Sequence, residues 1–387
     1  MGPETKKHQK HANLARPGYG IFHRNEWSIL GTPCGNIKQL AYGIINRLSD
    51  KYRLGYADAD HAGAEKSAAP AEGAMAQGAI MEYTDKIAFQ RFDWKGALDT
   101  YQFRVHFNSQ DAVLINGNHF EARTQIVVVD PKKEDSLRRK LERLTDVRLI
   151  LLAEGVKEVF PWLKEALENY SDIPQMKLQD VDGIALLLER DLEAARPPLY
   201  GLVLAGGKSA RMGEDKGLIQ YYGMPQREYL AGLLQPLCQE VFTSCRPEQA
   251  DDVLNPLPDT IAGLGPFGGL LSAFRRFPDA AWLVIACDLP LLDEETITDL
   301  IQHRNTSKVA TAFNSPTEQF PEPLIAIWEP RSYPVLLQFL AQGYACPRKV
   351  LINSEVQLLD ASAPQALRNV NTPEEMEEVR EIIAARG

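Results

Sequence analysis

One alternation, repeated in two blocks, limits what this chain can fold into more than any other feature. Short apolar runs of the kind that fill buried parallel strands are separated by stretches with helical spacing. In the first block, WSIL (27–30), DAVLING (111–117), TQIVVVD (124–130) and VRLILLAEG (147–155) read as strands. GTPCGNIKQLAYGIINRLSDKY follows the first, with Leu40, Ile44, Ile45 and Leu48 at helical intervals. KKEDSLRRKLERL and KEVFPWLKEALENY read as two more helices. Residues 62–80, rich in Ala, Gly and Glu, read equally as helix or flexible loop. A helix then ends against Pro197-Pro198, which places a domain boundary near residue 196. The second block runs LYGLVLA, a helix at REYLAGLLQPLC, EVFTSC, a glycine-rich helix at PFGGLLSAFRRF, AAWLVIACDLP, DEETITDLIQHR and SKVATAF. Strands alternating with helices imply parallel α/β sheets. The expectation is two α/β domains, 26–195 and 196–387, behind a loose polar arm at 1–25. For 387 residues, two domains of ~100–200 residues is also the natural count.

The second block opens on YGLVLAGGKSARMGEDKGL (200–218). LVLA delivers the chain to the carboxyl edge of a parallel sheet, where open α/β sheets bind ligands. Gly206 and Gly207 carry no side chain, so backbone N–H groups can approach a phosphate. Arg211 can fork onto phosphate oxygens and Lys216 supplies a point charge. The formal charge of −10 argues against a broad anion-binding face, so this is a local basic pocket. Two glycines alone would suit an ordinary strand–turn–helix connection. Arg211, Gly213 and Lys216 at these spacings argue for a nucleoside triphosphate. The loop is neither GxxxxGK[ST] nor GxGxxG.

The run Leu204-Ala205-Gly206-Gly207-Lys208-Ser209-Ala210-Arg211-Met212-Gly213-Glu214-Asp215-Lys216 matches LAGGxSxRMGxDK. It resembles the molybdenum cofactor guanylyltransferases (MobA-type), in which LAGG rather than LAAG favours guanine. PDTIAGLGPFGGLLSA (258–273), ACDLP (286–290), EPLIAIW (322–328) and RNVNTPEE (368–375) resemble further segments of that family in order. The resemblance covers about 198–387 and implies a Rossmann-like nucleotidyltransferase sheet. It implies that Leu204, Ala205, Gly206, Gly207, Lys216, Thr243, Asp259 and Asp288 bind nucleotide. It makes Arg211, Lys216 and Asp288 catalytic and Asp288 the Mg²⁺ ligand, an acid ending an apolar strand. Gly265-Pro266 with Gly268-Gly269 would form a second close-approach loop. Asn369 and Asn371 face the pterin or merely cap the last helix. The implied reaction moves GMP from GTP to molybdopterin. Thr243 stands where some members have Asn.

In the first half, GTPCGNIKQL (31–40) sits where a P-loop would. Asn36 and Ile37 occupy the places of its Gly and Lys, and Lys38 is displaced. YADADHAG and DAVLINGNHF are similar to segments of the MobB-type GTP-binding partners, with Asp58, Asp60, His61 and Asp111 as remnants of a Mg²⁺ site. The expectation is a P-loop-like α/β sheet with a degenerate loop, or an adaptor for apo-molybdoenzymes or the pterin donor.

Five scattered cysteines without CxxC spacing fit a reduced, cytoplasmic protein. No apolar run reaches the ~18 residues of a membrane span. No His/Cys set suggests zinc, and no GxSxG suggests a hydrolase. The charge excludes a general nucleic-acid surface. Two other readings stay open: a cytidylyl- or sugar-phosphate nucleotidyltransferase, and a non-catalytic cofactor carrier.

Overall fold

Every apolar run named above becomes a strand in the computed structural model, which describes residues 20–59, 73–206, 215–261 and 263–386. The chain divides into two compact units, 1–195 and 196–387.

In the first unit, β1 (Glu26–Leu30) is buried throughout and sits inside a six-stranded parallel sheet. Its order is β2 (Leu54–Ala57), β5 (Ala112–Asn116), β1, β6 (Thr124–Val129), β7 (Val147–Leu152), β8 (Gln175–Lys177). A separate antiparallel hairpin pairs β3 (Met81–Asp85) with β4 (Gln90–Trp94). Helix α1 (Cys34–Leu48) buries Ile37, Leu40, Ala41, Ile44 and Leu48, spaced three or four apart along one face. It packs on one face of the sheet with α5 (Val181–Ala194), through Ile184 and Leu188. Leu137 of α3 (Glu134–Arg138) and Leu163 of α4 (Pro161–Ala166) cover strand residues Val127, Val129 and Ile150. The short α2 (Phe103–Phe107) joins an aromatic cluster around Phe22.

Three expectations change here. Residues 20–25 are not part of a loose arm. The backbone N–H groups of Ile21, Phe22 and His23 donate to the Glu26 carboxylate, as does that of Arg123, and Ile21 and Phe22 are buried. A buried carboxylate needs these donors, and the chain wraps to supply them. The helix read at 132–144 breaks into α3 and flanking 3-10 turns. The one read at 157–170 shrinks to α4, because Pro161 forces Phe160 into an extended conformation.

In the second unit, the sheet order is β11 (Pro256–Pro258), β10 (Glu240–Cys245), β9 (Leu199–Leu204), β12 (Ala281–Ala286), β14 (Pro321–Trp328), β13 (Ala310–Asn314), β15 (Val356–Leu359). Only β14 runs antiparallel to its neighbours. Strand order reverses at β9, whose partners are β10 on one side and β12 on the other. α6 (Gln226–Leu234) and α8 (Glu294–Gln302) cover one face. α7 (Pro266–Arg276), α9 (Ser332–Ala341) and α10 (Pro347–Ile352) cover the other. The closing helix α11 (Pro373–Arg386) packs Val379 with Ile219, Leu291 and Val370. No helix among the described residues is long and apolar enough to cross a membrane.

Candidate active site

Strand register builds the second unit's site. Leu204 pairs with Ser244 on one side and Ala286 on the other, while Cys245 pairs with Pro258. The carboxyl ends of β9, β10, β11 and β12 therefore line up. Gly206, Asp259 and Asp288 each follow a strand end at this common edge, the place where an open α/β sheet binds its ligand. A cleft of about 280 Å³ opens there, lined by Leu204, Ala205, Gly206, Lys216, Asp259 and Asp288 among others.

Asp288 is the most constrained group. Its Oδ1 is buried with no hydrogen-bond partner, and its Oδ2 lies 3.5 Å from Lys216 Nζ. Burial pushes its carboxyl above the usual range, and the Lys216 ammonium opposes that rise. Lys216 opens a 3-10 turn capped by Asp215, whose Oδ1 accepts from the Gly217 N–H. Gln249 donates to the other oxygen of Asp215 at 3.1 Å and so ties the loop's end to the segment after β10. Lys216 Nζ also donates to Asn371 Oδ1 at 2.8 Å, while the Val370 N–H donates to the Asp288 carbonyl. The segment carrying Asn369 and Asn371 is thereby bound to the same edge.

Asp259 accepts from Ser244 Oγ at 2.9 Å; burial raises its carboxyl and that hydrogen bond opposes the rise. Cys287 lines the cleft beside Asp288, and burial pushes its thiol up, so it stays protonated.

Two expectations need correction. Thr243 is buried inside β10, paired with Val203 and Pro256, and Ser244 takes the cleft-lining position one residue on. Gly268 and Gly269 approach protein rather than ligand. A Cβ on Gly269 would lie 2.5 Å from Ser244 Oγ, and one on Gly268 would lie 2.8 Å from the Ile261 carbonyl. Gly265, at φ +54 before α7, is the glycine of that segment that reaches the cleft with Pro266. Gly207, Arg211 and Gly213 lie outside the described residues, as do Asp60 and His61. Ser244, Asp215 and Gln249 were missed by sequence reasoning; Ser244's only signal was its place as neighbour of Thr243.

In the first unit, α1 begins at Cys34, so Asn36, Ile37 and Lys38 are already helical. Lys38 is exposed, its ammonium 5.7 Å from the Tyr42 ring centroid. Asp58 follows the carboxyl end of β2, whereas Asp111 precedes the amino end of the parallel neighbour β5. The two acids stand at opposite edges and cannot share an ion.

A family model for the MobA-like NTP transferase domain matches residues 201–358. The chain is 32% identical over 192 residues to a molybdenum cofactor guanylyltransferase of Pseudomonas putida, covering 48% of this chain and 98% of that protein. It is 36% identical over 187 residues to a molybdenum cofactor biosynthesis bifunctional protein of Synechocystis sp., covering 47% of this chain; the chain spans about half, 54%, of that relative's length. Among solved structures, molybdopterin-guanine dinucleotide biosynthesis protein A from Archaeoglobus fulgidus aligns with 48% of this chain and 99% of its own, at 22% identity and TM-score 0.42. A molybdopterin-guanine biosynthesis protein B structure aligns with 43% of this chain and 99% of its own, at 14% identity and TM-score 0.31.

Proposed function

The chain belongs to the molybdenum cofactor guanylyltransferase family of nucleotidyltransferases, and we propose that residues 196–387 transfer GMP from GTP to the terminal phosphate of molybdopterin. The products are molybdopterin guanine dinucleotide and pyrophosphate. One observation carries the reading: a buried Asp288 carboxylate, one oxygen without a protein donor, lies beside Lys216 at the edge where the glycine loop begins.

A desolvated carboxylate with an orphaned oxygen is costly unless a cation meets it. A hard divalent ion such as Mg²⁺ fits that oxygen, and Asp288 would hold it. Among the described residues no three His, Cys, Asp or Glu groups gather to hold a metal, so Asp288 would be the protein's carboxylate toward such an ion. Once bound, the ion supplies positive charge against the triphosphate.

Leu204, Ala205 and Gly206 offer backbone to the phosphates, and Gly207 and Arg211 extend that cradle in sequence. Ser244 and Asp259 form the wall that receives the nucleoside, in place of Thr243. Lys216, oriented by Asn371, offsets charge on the departing pyrophosphate. Asn369 and Asn371 front the pterin. The chemistry is positioning and electrostatics without a protein nucleophile, which agrees with a neutral Cys287 thiol. Residues 26–195, whose degenerate loop leaves Lys38 exposed on α1 beside the Tyr42 ring, serve as an adaptor toward apo-molybdoenzymes or the pterin donor.

The test is pyrophosphate release by the full chain with Mg²⁺ and molybdopterin, offering GTP, CTP, ATP or UTP in turn. Release with GTP alone is expected. Preference for CTP would move the protein to cytidylyl transfer, and no release with any nucleotide would overturn the enzymatic reading of this site.

A further inference from the structure

The first unit gathers a second reactive cluster that the transfer reaction does not use. At the carboxyl edge of its sheet, His119 Nε2 lies 3.3 Å from Cys34 Sγ and 3.9 Å from Asp58 Oδ1. Asp58 is itself fixed. Tyr56 donates to its Oδ2 at 2.8 Å, and Asn116 donates to its Oδ1 at 2.7 Å, joined by the Ala59 N–H. Asn118 Nδ2 donates to the Thr32 carbonyl at 2.9 Å and reaches Cys34 Sγ at 3.6 Å. Lys140 Nζ holds Asn118 in turn, through its carbonyl at 3.0 Å and its side-chain oxygen at 3.3 Å. Cys34 is only half-buried and stands among these polar groups as the first residue of a 15-residue helix. A cysteine kept for its volume sits among apolar side chains. This one faces an imidazole that can take its proton and an anchored carboxylate that stabilises the resulting imidazolium.

We propose that Cys34 is a nucleophilic thiol, with His119 as its proton acceptor, that exchanges with low-molecular-mass disulfides and is a covalent modification site of the first unit. Sγ attacks one sulfur of the disulfide as its proton passes to His119 Nε2. The Cys34–sulfur bond forms while the original sulfur–sulfur bond breaks, and the departing thiolate takes the proton back from His119. A thiol and a disulfide become a mixed disulfide and a thiol, so no further oxidant is needed. Cys34 is the one cysteine before residue 196, so the first unit holds no second thiol to resolve the adduct. It persists until an external thiol reverses it.

The experiment treats the full chain with glutathione disulfide and follows each cysteine by peptide mass. Cys346, also half-buried, is the internal reference. Cys34 is expected to convert about tenfold or more faster than Cys346, and His119→Gln to lose about that factor. Added imidazole is expected to restore part of the rate in His119→Gly and to leave the unsubstituted chain unchanged, which a merely structural histidine would not give. If the His119 variants do not fold, the ratio of Cys34 to Cys346 in the unsubstituted chain decides, repeated with uncharged iodoacetamide. Equal rates at the two cysteines, or a folded His119→Gln that reacts as fast as the unsubstituted chain, would overturn the proposal.

Discussion

Replacing Gly269 with alanine tests whether the glycines at the start of α7 serve the protein's own packing. An ideal Cβ there would lie 2.5 Å from Ser244 Oγ, 3.0 Å from Leu204 Cδ2 and 3.4 Å from Asp259 Oδ1. Ser244 must swing away, and its 2.9 Å hydrogen bond to Asp259 is lost. Losing a hydrogen bond to a carboxylate that burial already disfavours costs about 1.5–3 kcal/mol. Crowding against Leu204 adds about 1 kcal/mol. Against this, alanine gains about 1 kcal/mol over glycine inside a helix. The balance is a loss of about 1.5–3 kcal/mol, which at a slope of about 2 kcal/mol/M lowers the urea midpoint of this unit by about 1 M. Unfolding is followed by circular dichroism and by the fluorescence of Trp282 and Trp328, both fully buried in this unit's core. Gly206→Ala is the control, because its Cβ would meet Arg246 and Cys245 backbone only at 3.4–3.5 Å, an ordinary distance. It should keep stability within about 0.5 kcal/mol while weakening GTP binding. In Ser244→Ala the clash partner and its hydrogen bond are already absent, so adding Gly269→Ala there should cost about 1.5–3 kcal/mol less than alone. A Gly269→Ala protein as stable as the parent would refute this account of the close approach.

Lys216→Ala and Asp288→Ala should each lower turnover by about a hundredfold or more, the scale of a lost transition-state charge contact; near-parental pyrophosphate release would remove either from the machinery. Asp259→Asn should raise the melting temperature of the second unit at pH 7. Burial holds the folded carboxyl above the ordinary 3.8, so its folded state binds the proton more tightly than the unfolded one. The stability it contributes in acid is therefore lost as pH rises from 3.8 through the raised value. The neutral amide escapes that loss and can still accept from Ser244. Its advantage should shrink toward pH 4, and an advantage of equal size at both pH values would contradict the sign.

The buried strands were legible because continuous apolar runs have few other homes. The β3–β4 hairpin was not. Met81 pairs with Trp94 and Tyr83 with Phe92, yet all four side chains are about half exposed, so the burial that makes a run readable is missing. In the site, Lys216 and Asp288 were legible because their spacing from glycine loop and strand end is local. Ser244 was not, because only the pairing of β10 with β9 decides whether residue 243 or 244 reaches the edge. Likewise Gly269 reads as a ligand-facing glycine until Ser244 is seen against it.

Position relative to a strand's end is what separates chemistry from scaffolding in both units. Asp58 and Asp111 flank neighbouring parallel strands, but one follows its strand and the other precedes it, so the sheet holds them apart by its own length. Gly206, Asp259 and Asp288 come from separate stretches of chain, yet all follow strands that run the same way, so the sheet brings them together. The pairing of Ala286 with Leu204 sets Asp288 opposite the start of the glycine loop. A one-residue slip of β12 would turn its apolar residues to the wrong faces, so the helices on both faces enforce the register that brings the carboxylate to Lys216. The core of the second unit is thus the device that aims Asp288.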